Sequence, residues 1–230
     1  MKIFGSGKAD KTDEQQESPG PVARLATGAV ERILAYGIDG FGPLDSVEEV
    51  VRKARAKQDD PEKVIDAVRS DHVKLAASGG FVTGVGGLIT MPVALPANVV
   101  GFYVLAARMV SAVALVRGYD VHDRHTRTAL SLTLIGADAD ALLKKAGVNG
   151  GGRMARIALN RVPKGAAMMI NKGLGFRVAT QLGTRMLGRL GRMVPLAGGA
   201  VGAGLDGYLM GRLTDHARTE FPRRAEVEGV

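Results

Sequence analysis

The chain has no cysteine among its 230 residues, so disulfides and thiolate metal ligands are excluded. It has no tryptophan, and aromatics make up only 4% of it. Single-strand nucleic-acid binders need aromatic faces for stacking, and interfacial tryptophan belts need tryptophan; neither can be built here. No stretch alternates apolar and polar residues, so strands find no support and the expected fold class is all-α. Residues 1–20 carry Lys, Asp, Glu, Gln and Ser in place of an apolar signal core. They are expected to be a disordered polar tail, without a secretory signal. Gly5-Ser6-Gly7-Lys8 is followed by Ala9 where a phosphate loop needs a hydroxyl, so it fails as a nucleotide motif. Neither a G-x-S-x-G elbow nor an H-E-x-x-H pair occurs. No catalytic, metal or cofactor site is therefore expected, and cofactors are read as none.

Two gaps in the charge pattern are more informative. From Ala141 to Leu205 there are eleven basic residues, Lys144 through Arg192, and no acid. Such a segment is either a solvated basic face or a surface for anions. Its candidate lipid-facing residues are Arg153, Arg156, Arg177, Arg185, Arg189 and Arg192. From Leu75 to Ala107 there is no charge of either sign. This stretch is long enough to span a bilayer, but Gly79-Gly80, Gly84, Gly86-Gly87, Pro92 and Pro96 are expected to interrupt it. Its clean helical piece is expected over Ala97–Val116, with Arg108 near the middle, where a charge facing lipid is costly. A buried hairpin or an embedded, non-spanning element follows, rather than a transmembrane helix.

Around these gaps the apolar spacing is helical. A first helix is expected over Pro21–Tyr36, before a glycine-rich break at Gly37–Pro43. A second starts at Asp45 or Ser46 and runs to about Lys57. A third is capped by aspartate before Pro61, with Val64, Ile65, Val68, His72, Val73 and Ala76 on one face. Others are expected over Asp123–Ile135, Asp138–Gly147, Gly152–Leu159, Lys164–Lys172, Phe176–Arg192 and Pro195–Arg212. The result is a single compact helical domain, residues 21–221, built around two Gly/Pro-rich apolar helical segments. Residues 222–230 are expected to fray.

Three constellations stand out. Gly198, Gly202, Gly207 and Gly211 form small-x-x-x-small pairs that let two backbones approach closely. Packing against Ala97–Val116 is one use; membrane insertion or oligomerisation is the other. Arg108 and Asp206 each sit within an apolar helix, and a lone buried charge is expensive. They are expected to share a buried polar pocket, with Asp120 as a further member, unless either side chain reaches solvent. His122 and His125 could ligate a metal, but their place at a polar helix start reads as a solvated cap.

The segment Gly80-Phe81-Val82-Thr83-Gly84-Val85-Gly86-Gly87-Leu88-Ile89-Thr90-Met91-Pro92, then Leu95-Pro96-Ala97-Asn98 and Arg117-Gly118-Tyr119-Asp120, resembles the EcsC family of bacterial proteins. Gly175-Phe176-Arg177, Val194-Pro195-Leu196-Ala197-Gly198-Gly199 and Val201-Gly202 before Asp206 extend the resemblance to roughly Gly40–Phe221. The family is named for a protein encoded beside an ABC-exporter operon. The same layout looks like a membrane-associated domain fused to some bacterial GTPases, without the GTPase motifs. The resemblance implies a membrane context and transfers no catalytic residues. The leading expectation is a non-enzymatic peripheral or partly embedded protein at the cytoplasmic face of the membrane. It would bind anionic membrane lipid through its basic face and serve a transport or envelope complex. A soluble helical scaffold is the alternative; a hydrolase of lipid or peptide near Asp120 and Arg108 ranks third. Nucleic acid ranks last, for lack of aromatics and of helix-turn-helix spacing.

Overall fold

The computed structural model describes residues 21–85, 87–136, 169–170, 172–176, 180 and 195–224. Its named elements are all helices: α1 (Pro21–Asp39), α2 (Val47–Arg55), α3 (Pro61–Val85), α4 (Gly87–Val116), α5 (Arg124–Ile135) and α6 (Pro195–Glu220). Among the described residues the β structure is one isolated bridge, Phe41 with Leu44. The fold is all-α, as the missing alternation implied.

Helix starts follow local chemistry. Ser46 caps α2, its Oγ accepting from the Glu49 N–H at 3.3 Å. Asp45, the other candidate cap, is instead 2.7 Å from Lys53 Nζ. Asp60 accepts from the N–H groups of Glu62 and Lys63 at the start of α3, with Pro61 where its missing N–H costs nothing. Asp123 caps α5 by accepting from His125 and Thr126. The Thr126 N–H, opposed by partial burial and aided by the His125 N–H, holds that carboxyl below the ordinary aspartate value. At the far end of α4, Gly118 takes φ +91°. Its N–H bonds to Leu115 O and the Tyr119 N–H bonds to Ala114 O, which closes the helix in a Schellman turn.

Of the expected interruptions of the uncharged stretch, the one at Gly86-Gly87 falls between two helices, whereas those at Gly79-Gly80, Gly84, Pro92 and Pro96 do not occur. Helix α3 runs through Gly79-Gly80 to Val85, and α4 begins at Gly87, ten residues before Ala97. Pro92 and Pro96 lie inside α4. Each proline removes one N–H donor, but an apolar segment offers its remaining backbone groups few partners besides the helix itself. Gly37 does not end α1 either; an added Cβ there would lie 2.7 Å from Ala107 Cβ on α4, so this glycine is a contact and not a break. Helix α6 also extends past Arg212, to Glu220. Residues 172–176 are helical where a break was expected between Lys172 and Phe176. The expected helices that fall on 138–168, 177–179 and 181–192, and the two terminal tails apart from 222–224, lie outside the described residues.

Helix α4 is the centre. It touches each of the other five helices, and Ala106, Ala107, Met109, Val110, Ala112, Val113 and Ala114 are completely buried along it. Each large side chain so buried contributes about 1.5–3 kcal/mol. Of the Ala97–Val116 window, apolar enough to cross a membrane, 78% is covered by the rest of the protein, so this part of α4 is a core helix.

Helices α3 and α6 run antiparallel and make the most extensive helix contact. They come closest at Gly80, where an added Cβ would sit 2.6 Å from Gly202 O and 2.7 Å from Asp206 Oδ2. Helix propensity alone favours alanine over glycine by about 1 kcal/mol. Here the obstacle is backbone and cannot swing away. Gly80→Ala is therefore expected to lower unfolding stability by about 1–2 kcal/mol in urea titrations. Gly204→Ala, with nothing within 4 Å, should be neutral or stabilising by up to about 1 kcal/mol. Equal effects of the two substitutions would remove the close crossing as an explanation.

Candidate functional site

Three helix ends that carry no charge meet at one end of the molecule. Helix α3 is uncharged from Leu75 to Val85, α4 from Gly87 to Ala107, and α6 from Pro195 to Leu205. The antiparallel packing of α3 against both α4 and α6 places these three stretches side by side. Exposed apolar side chains occur on all three: Leu75, Val100, Val201 and Leu205 are between 41 and 52% exposed. Exposed apolar residues scattered singly are ordinary; Leu75 borders charged groups, whereas Val100, Val201 and Leu205 lie on stretches that carry no charge. At 1.5 Å per residue, the uncharged parts of α3 and α6 each reach about 15 Å, half of a bilayer's hydrocarbon thickness.

The opposite end of the same three helices is laced with ion pairs. Glu62 on α3 meets Arg117 at 2.8 Å, Arg223 at 3.6 Å and Arg218 at 3.7 Å. Arg218 also pairs with Asp66, and Arg69 with Asp215. Among the described residues of these three helices, one end is crowded with ion pairs and the other carries no charge.

At the base of the uncharged end, Asp206 on α6 is 2% exposed. Asn98 on α4 donates its Nδ2 to Asp206 Oδ2 at 3.2 Å. Gly80 on α3 leaves room for that carboxylate. One polar contact therefore joins all three helices where charge first enters.

Arg108 does not join it. Ten residues beyond Asn98, it stands about 15 Å further along α4. It faces α2 and α3, lining a cavity of about 190 Å³ together with His72, Lys53 and Asp45. Its neighbour on α4, Met109, is the residue in contact with α6, through Thr214. Asp120 lies elsewhere again, exposed in the turn after α4, where it accepts from the His122 N–H at 2.9 Å. The expected Arg108–Asp120–Asp206 pocket is thus three separate places. Helical rotation by one residue, from 108 to 109, is enough to turn a side chain from α6 to α2.

The glycine stripe is corrected in its partner. Gly202 meets Gly80, a Cβ added at Gly207 would lie 3.6 Å from the Val73 and Ala77 side chains, and one added at Gly211 would lie 3.2 Å from Arg69, all on α3 and not on Ala97–Val116. Gly198 lies in α6, and its surroundings fall outside the described residues, as do Arg153, Arg156, Arg177, Arg185, Arg189 and Arg192. Phe176, next to Arg177, is 70% exposed. His122 reaches back to Glu48 on α2 at 2.9 Å.

His72 lies on the core face of α3 that the apolar spacing predicts. It is 2% exposed, and its Nδ1 lies 2.8 Å from Val68 O. Its Nε2 and the Nε of Arg108 are both buried without a hydrogen-bond partner. Desolvation, with Arg108 nearby, pushes His72 down to about 4, against weaker upward pulls from Val68 O and Asp71. Desolvation also lowers Arg108, offset in part by Asp45.

The linkage has a definite sign. The unfolded chain takes up the His72 proton near pH 6.5, whereas the folded chain resists it until about pH 4. Stability held above pH 6.5 is lost as pH falls towards 4. Between pH 7 and pH 4.5 this residue should account for about 2–3 kcal/mol of lost unfolding stability. Urea unfolding of the parent and of His72→Phe at the two pH values checks it, because the substituted chain should lose less by that amount.

The family model of the EcsC protein family matches residues 40–225, which takes in α2 through α6 and both sides of the uncharged end. Neither the curated proteins nor the solved structures give a match to this chain. The match covers most of the sequence and all of the motifs from Gly80 to Gly202, so the chain belongs to the EcsC family.

Proposed function

We propose that this protein is a non-enzymatic peripheral membrane protein that embeds the uncharged end of α3, α4 and α6 in one leaflet. The observation that carries the proposal is the convergence of those three uncharged helix ends opposite an end crowded with ion pairs. Embedding to about 15 Å leaves the charged girdle in water and needs no further span. Helix is the conformation that satisfies its own backbone in lipid, and the uncharged stretches are helical throughout their described length. The acid-free basic segment supplies attraction to anionic headgroups, at about 1 kcal/mol for each charge near the surface. The membrane in question is the cytoplasmic face, where anionic lipid and a transport or envelope complex would be the partners.

A soluble scaffold would use the same core but has no use for an exposed, uncharged end. The two readings separate in flotation with liposomes. The unmodified protein should float with vesicles containing anionic lipid. Val201→Asp with Leu205→Asp should stop it while leaving helicity and unfolding midpoint unchanged, since both residues are exposed. Flotation unaffected by the two aspartates would reject the embedded end.

The basic segment is checked separately. Arg185→Glu, Arg189→Glu and Arg192→Glu together should weaken binding to anionic vesicles at least about a hundredfold. Raising salt from 0.05 to 0.5 M should weaken the parent's binding too, by screening. Equal binding to neutral vesicles would show that the arginines are a solvated face.

A further inference from the structure

The cavity between α2, α3 and α4 has a composition that hydrophobic packing does not account for. Its floor holds two polar side chains that are almost wholly buried, Arg108 at 5% and His72 at 2% exposure. Each keeps one nitrogen without a partner, Arg108 Nε and His72 Nε2. Buried polar atoms normally find partners, because leaving one unmade costs its full desolvation. Two side chains with such atoms line one cavity, and a ligand seated there would complete the bonding.

The two nitrogens specify different things. Arginine offers a planar, permanently charged fork of donors, which matches the oxygens of a phosphate or carboxylate. His72 offers the reverse. A carbonyl can only accept, so the 2.8 Å contact to Val68 O places the ring proton on Nδ1. Nε2 of the neutral ring is then an acceptor, and it needs a donor on the ligand. The rim adds Lys57, and Lys53 bound to Asp45; Asp71 faces the same space, 3.8 Å from Lys74. At about 190 Å³ the cavity is smaller than the 300 to 1,000 Å³ of drug-sized sites, and it suits a compact anion.

We propose that this cavity is a binding site for a phosphate or phosphomonoester group, held by Arg108 through its anionic oxygens and by His72 Nε2 through its remaining P–OH proton. Phosphomonoesters keep that proton over part of the population near neutral pH, with a second pKa of about 6. Sulfate and carboxylates have lost theirs. Burial keeps His72 neutral through the same range. The group can arrive as a free small phosphate or as the headgroup of a phosphomonoester lipid. Leu75, the first residue of the uncharged stretch, lines the same cavity, so a headgroup seated there would have its acyl chains beside the uncharged end. Binding of the free group does not depend on the membrane proposal.

The experiment is thermal unfolding of the full chain at pH 6.5 with three probes: inorganic phosphate, sulfate at matched ionic strength, and dihexanoyl phosphatidic acid below its micellar concentration. A phosphate-bearing probe at about a hundredfold excess over its Kd should raise Tm by about 5–10 °C, and sulfate should not. A rise with phosphate assigns the free group; a rise with the lipid alone assigns the headgroup. Either is lost in Arg108→Met, which keeps the volume and removes the charge. No rise with either phosphate probe overturns the site, as does a rise equalled by sulfate or retained in Arg108→Met. Should that variant not fold, imidazole NMR of the unmodified chain decides. The probe must shift the His72 ring resonances and leave those of His122, His125 and His216 in place; a uniform shift overturns the proposal.

Discussion

The contact of Gly80 with Gly202 is the constraint on which the rest depends. Two helices that must meet backbone to backbone can carry no side chain at the crossing, and both positions are glycine. That crossing fixes the register of α3 against α6. The register then sets Arg69 opposite Asp215 and Arg218 opposite Glu62 and Asp66, one turn after another towards the far end. In the other direction it brings the uncharged starts of α6 and α4 beside the uncharged finish of α3. Charge segregation along the axis is therefore a consequence of one close approach.

Asp206 shows how the crossing tolerates a buried acid. The space that a Gly80 side chain would fill is used by the carboxylate, and Asn98 supplies a donor from α4. A carboxylate here is costly by itself, and its hydrogen bonds offset part of that cost. It also makes the meeting of the three helices specific, since a slipped register would bury the same acid against apolar groups. Arg108 solves a different problem on the opposite side of α4. There α2 and α3 leave a cavity, and the guanidinium and His72 share it without pairing with each other.

The absence of charge from Leu75 to Ala107 covers two different environments along the helices. From Val99 to Ala107 the helix is largely inside the protein, where Phe102, Tyr103, Ala106 and Ala107 are buried by their neighbours. Towards the finish of α3 and the start of α4, the same lack of charge extends past the level where Asn98 and Asp206 meet. A core requirement explains the first part. The second is the part on which the proposed embedding rests.

Sequence by itself determined the helical class, an aspartate cap before Pro61, a polar cap before α5 and the stop at Gly118, because these are local; between Asp45 and Ser46 as the cap of α2 the structure decided. Each depends on residues within one turn of one another. Sequence also determined that no charge falls between Leu75 and Ala107 and that the family motifs belong together. Tertiary structure decided what Gly79-Gly80 does, because a glycine pair reads as a break unless another backbone lies against it. It decided the partner of the glycine stripe, since small residues permit close approach without naming what approaches. It decided, too, that Arg108 and Asp206 serve different clusters. Apolar helices can bury charges on any face, and which face meets α2 and which meets α6 depends on a rotation of about 100° per residue that only the assembled bundle fixes.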